Sequence, residues 1–97
     1  MRALEVSLNG KRICVAGVNN GVVTTYVNLV DHVSGEKNDF CAIDGTEGPA
    51  PGTFYHWGHR SITVGDELTI RVVETDSVDA PTKRITAAEL WPEKFGE

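Results

Sequence analysis

The residues best suited to chemistry are crowded into one short run, Tyr55-His56-Trp57-Gly58-His59-Arg60. His56 and His59 stand three apart, a spacing that puts two imidazoles on one side of a helix but on opposite faces of a strand. In a strand they converge on one metal ion only if Gly58 breaks the pleat. Cys41 would then complete a mixed nitrogen and sulfur ligand set, with Cys14 or His32 as further donors. The paired ligand spacings of structural zinc modules are missing, because neither cysteine has a second one a few residues away. A metal or small-molecule site at His56, His59 and Cys41 is therefore the alternative reading.

Nucleophilic chemistry has less to stand on. Ser61, His59 and Asp66 can be drawn as a hydrolytic triad, as can Cys41 with a histidine and Asp44, but a chain with three histidines always permits such drawings. Neither a Gly-x-Ser-x-Gly elbow nor a cysteine-nucleophile signature is present. The glycines of Asp44–Gly52 lack the Gly-Lys-Ser/Thr ending of a phosphate-binding loop, and its prolines remove backbone donors such a cradle needs. The spaced carboxylates of an EF-hand are absent too. The chain reads as a non-enzyme with no catalytic residue and no cofactor.

Charge narrows the partners. The formal net charge is −5. Asp31, Glu36, Asp39, Asp44 and Glu47 face a single base, Lys37, and Glu74, Asp76 and Asp79 follow without any. These two segments hold more than the whole net charge, so the remainder is net positive. Phosphate contacts dominate nucleic-acid affinity, and a chain without a basic stripe is poorly suited to them. No run approaches the roughly 20 apolar residues of a membrane span. Met1 to Val6 lacks the apolar stretch of a signal peptide, which points to the cytoplasm and to reduced thiols at Cys14 and Cys41, both read as small buried residues.

The elements that must position these residues show mainly period-two alternation, the mark of half-buried strands. Leu4, Val6 and Leu8 alternate up to Asn9-Gly10, a pair suited to a type I′ turn, and Lys11 to Ala16 return. A two-residue loop predicts Leu8 opposite Lys11, Val6 opposite Ile13 and Leu4 opposite Val15. Gly17 to Gly21 reads as a turn. Val22 to Val33 contains a helical stripe, but its β-branched residues favour strand. Phe40 to Ile43 reads as a short buried strand, Asp44 to Gly52 as a long exposed loop, and Thr53 to Trp57 as strand again. A tight hairpin between Ile62–Val64 and Leu68–Val72 would set apolar against polar residues, so a corner between two sheets is expected there. Thr86 to Glu89 has capping-box spacing, while Ile85 suits an edge strand equally well. Trp91 beside Pro92 reads as a pin for the tail.

The expected fold is all-β, an antiparallel sandwich or partly open barrel of about six to seven strands with at most one short C-terminal helix. Residues 1–92 form one domain, and residues 93–97 a frayed tail. A compact acidic domain of this kind suits protein–protein interaction, as an inhibitor, an immunity-type protein or an accessory binding protein. That is a likeness of size and charge which no motif carries. Acidic loops steer basic partners, and aromatic and arginine side chains serve as contact anchors. The candidate contacts are Asp39, Asp44, Glu47, Tyr55, Trp57, Arg60 and Asp76, with Trp57 read first as core. The partner is another protein of basic character. Self-pairing through an exposed edge strand, Ile85–Leu90, is a further expectation.

Overall fold

The computed structural model describes residues 1–35, 37–49, 52–86 and 89. Among the described residues seven strands follow in order: β1 (Arg2–Leu8), β2 (Lys11–Ala16), β3 (Gly21–Asn28), β4 (Phe40–Glu47), β5 (Thr53–Ser61), β6 (Leu68–Glu74) and β7 (Lys83–Thr86). They form two antiparallel sheets, ordered β2-β1-β6 and β3-β4-β5-β7. The fold is all-β, as the alternation predicts. Val22 to Asn28 is strand rather than helix, although the strand stops short of the expected Val33, and Ile85 lies in an edge strand. The expected C-terminal helix, Trp91 and the tail lie outside the described residues, apart from Glu89, whose N–H donates to Thr86 Oγ1 at 3.2 Å.

The first hairpin turns where expected, with positive φ at Asn9 (53°) and Gly10 (79°) and Leu8 opposite Lys11. Beyond that pair the register departs from the simple count. A bulge sets Val6 opposite Cys14 and Leu4 opposite Ala16, instead of Ile13 and Val15. Packing accounts for the shift. Cys14 and Ala16 are small and buried in the core with Val6, while Ile13 is displaced onto the backbone of β5. A Cβ at Gly58 would come within 3.1 Å of Ile13 Cγ2.

The corner is present as expected. β5 ends in one sheet and β6 begins in the other, so Leu68 to Glu74 pairs with β1 and not with Ile62–Val64. Asp66 holds the corner, accepting Thr63 N at 2.8 Å and Asn9 Nδ2 at 2.9 Å. The expected long loop from Asp44 is a correction: β4 continues to Glu47, and the connection begins only after it. Its glycine serves packing rather than a turn. A Cβ on Gly45 would lie 2.9 Å from Trp57 Cζ3, so this position is bare because the indole lies across it.

The core is the cluster Val6, Cys14, Ala16, Ile43 and Trp57 between the sheets. β1 packs over β3 and β2 over β5. The segment after β6 crosses this layer and is tied down by Asp79. Its carboxylate accepts Val15 N at 2.8 Å, its N–H donates to Val15 O at 2.8 Å, and its carbonyl accepts Trp57 Nε1 at 2.8 Å.

Cys14 and Cys41 are free thiols, both buried. Burial, helped by the nearby Asp79 carboxylate, pushes the Cys14 thiol from its ordinary 9.0 up to about 11. An unfolded chain therefore loses this proton first as pH rises, and stability is expected to fall between pH 9.0 and about 11. Denaturation midpoints across that range, compared with a Cys14→Ala chain lacking the slope, check this. A slope unchanged by the substitution would remove Cys14 as its source.

Candidate functional site

The outward face of the four-stranded sheet collects most of the chemically able side chains. Paired residues of antiparallel neighbours share a face, so the register gives this face in rows. Val22, Thr46, Phe54 and Ile85 form the first, and Thr24, Asp44, His56 and Lys83 the second. Tyr26, Ala42 and His59 form the third, and Asn28, Phe40 and Ser61 the fourth.

One irregularity builds this arrangement. Ile43 pairs with Gly58 but Asp44 pairs with His56, which leaves Trp57 as an extra residue on β5. The bulge sends the indole inward and restores the alternation one residue late. His56 and His59, three apart and destined for opposite faces of a regular strand, are thereby brought to the same outward face.

The second and third rows interlock. His56 Nδ1 lies 2.5 Å from Asp44 Oδ1, and Tyr26 Oη donates to Asp44 Oδ2 at 3.0 Å. A carboxylate only accepts, so Nδ1 carries the proton and Nε2 is the nitrogen left for a ligand. The hydrogen bond to Asp44 holds the Tyr26 phenol above its ordinary value of 10.0. Phe40 stacks on His59 with centroids 4.5 Å apart and meets Tyr26 edge-on at 6.2 Å. These rings bury Ala42 beneath them. The first two rows enclose a trough of about 370 Å³, apolar along Val22, Phe54 and Ile85 and polar along Asp44, His56 and Lys83.

The residues expected from the sequence are placed unevenly. Asp44 and His56 meet, and His59 joins their face. Cys41 pairs with Arg60 on the inward side of the sheet and is fully buried, so it does not join the histidines. Among the described residues no group of three or more His, Cys, Asp or Glu gathers as a metal site. Tyr55 and Trp57 face inward, their rings 5.7 Å apart. Phe54 takes the outward place expected of Tyr55. Glu47 accepts Tyr55 Oη at 2.9 Å and Asn19 N at 3.0 Å, and Asp39 accepts Val30 N at 2.9 Å. Both acids thus act as local staples. Arg60 and Asp76 are exposed, Arg60 donating to His59 O at 3.0 Å.

Sequence reasoning missed Val22, Tyr26, Phe40, Phe54, Lys83 and Ile85 as one surface. Their alternation was visible, but strand pairing alone makes them neighbours. Comparison with protein families, curated proteins and solved structures finds no match for the chain.

Proposed function

We propose that this chain is a small acidic, non-enzymatic cytoplasmic protein that works by protein–protein contact through the outward face of β3, β4, β5 and β7. The observation that carries the reading is the make-up of that face. No other described strand packs on it, yet it holds Val22 at 61% exposure and Tyr26 at 37%, beside the partly buried Phe54 and Ile85. An open sheet face that only meets water is expected to alternate to polar residues, and contiguous apolar surface rimmed by polar groups marks interaction sites. Here the apolar row adjoins the Asp44–His56 pair and Lys83, which gives a partner both an anchor slot and directional hydrogen bonds. The net charge of −5 favours a basic partner by steering its approach.

Immobilised protein, exposed to native extract, checks this. Phe54→Lys is expected to weaken capture of the principal partner at least about tenfold, a loss typical of an interface anchor. Asp76→Lys, in an exposed loop, is expected to change mainly the salt dependence of association. Equal capture by wild type and Phe54→Lys would rule this face out.

The trough favours one second reading. A cavity of about 370 Å³ falls within the range of small-ligand sites. Its apolar row and the His56–Lys83 pair suit a ligand with an aromatic body and an acidic group. Such a ligand would raise the melting temperature of the wild type with no protein partner present, which separates the two readings.

A further inference from the structure

We propose that two copies of this chain associate about a two-fold axis along the β6–β3 side of the sandwich, a surface distinct from the outward face described above. The four sheet edges differ in how they are protected. β2 carries Lys11 and Arg12 and a bulge. β7 carries Lys83 and Arg84, with Pro81 just ahead of it. Charges, bulges and prolines are the means by which edge strands avoid pairing with other chains. β3 has none of them: Gly21 to Asn28 contains no charged residue and no proline. β6 has one charge at its centre, Arg71, turned to the face shared with Glu5 and held there at 3.7 Å. The two guarded edges lie on one side of the molecule and the two unguarded ones on the other.

The layers make the same distinction. With β1 over β3, β6 projects past the end of the opposite sheet. Ile70 pairs with Val6 and Val72 with Leu4, so both look into the core layer. Val6 is fully buried, yet Ile70 is 46% exposed and Val72 69%, because no described strand lies beneath them. At the other end, where β7 projects past β2, the equivalent inward residue is Arg84. The polar overhang is suited to water, and the apolar one continues the core into solvent.

A second copy fits this overhang because the surface is complementary to itself. A two-fold axis running along the strands in the middle layer exchanges the two sheets. Each β6 then covers its counterpart face to face, and each β6 edge meets the β3 edge of the other copy. Every strand order becomes β2-β1-β6 continued by β3-β4-β5-β7 of the second copy. The seven residues of β6 and eight of β3 are matched in length. Such an isologous contact closes on itself and leaves only the guarded edges free. Val27, Leu29 and Val64, at 47%, 71% and 99% exposure, extend the apolar seam at one end. With Ile70 and Val72 they amount to roughly 400 Å² of apolar side chain, surface whose removal from water drives association. A standard stable interface buries about 800 Å² per partner, so this seam supplies about half of that and the two strand edges add to it.

Light scattering during gel filtration tests this. Wild type is expected at about twice the 10.5 kDa chain mass, and Ile70→Lys with Val72→Lys together at the single-chain mass. Thr69→Lys, on the other face of β6, should remain a dimer, as should Phe54→Lys, which separates this interface from the contact face. A monomeric wild type overturns the proposal, and so does a series of larger species growing with concentration, the mark of open assembly. A dimer that survives the double substitution but dissociates on Ile85→Lys would place the pairing on β7 and overturn it too. Should the double variant unfold, amide exchange on wild type decides. Protection at consecutive amides of residues 21–28 and 68–74 is expected, whereas free edges would leave alternate amides open.

Discussion

Replacing Trp57 by alanine is expected to cost about 3–5 kcal/mol, the usual range for removing a large aromatic from a core. Three contributions fall together at this position. The indole belongs to the small core cluster and is 5% exposed. It lies over Gly45, whose missing side chain makes its room. Its Nε1 donates to Asp79 O, tying the crossing segment to β5. A domain of this size is typically stable by only about 5–15 kcal/mol, so the variant would keep little reserve. Trp57→Phe retains a ring but loses the donor, and should cost less than alanine. Urea midpoints of the two variants check the order. A loss below about 1 kcal/mol for Trp57→Ala, the size of an ordinary surface change, would show that the indole does not hold the two sheets together.

Gly45→Val is expected to destabilise by about 1–3 kcal/mol through overpacking. A Cβ there meets Trp57 Cζ3 at 2.9 Å and Val22 O at 3.1 Å, and a valine adds two methyl groups to that collision. The position lies in the central β4, bonded on both sides, so the strand cannot back away without breaking a ladder. The contact also predicts coupling. In a Trp57→Ala background the same valine should cost much less, because its methyl groups enter the space the indole leaves. Neighbouring sites typically couple by about 0.5–3 kcal/mol. A four-way denaturation cycle measures this. Strictly additive losses would mean that the ring does not lie over Gly45.

The candidate site depends on the same bulge. With Trp57 as the extra residue, His56 reaches Asp44 while His59 stacks on Phe40 from the same side. Without it, one histidine would turn inward. The outward face is therefore a consequence of how the core accommodates the indole, and damage to that core is expected to disturb the contact surface as well.

Much of this was legible in the residues themselves. Asn9-Gly10 sets the first turn because both positions need positive φ, and Leu4, Val6 and Leu8 mark the half-buried strand leading to it. The poor match of Ile62–Val64 with Leu68–Val72 disclosed the corner between sheets. Such features depend on a few consecutive residues, and backbone geometry is local. The core place of Trp57 was read from the chain, whereas the two bulges, the inward turn of Tyr55, the extension of β4 through Glu47 and the apolar overhang of β6 were decided elsewhere. Each depends on which strand lies opposite and which layer ends first. Those contacts join residues far apart in the chain, so the period-two pattern, alike for a strand covered on one face or on neither, could not choose between them.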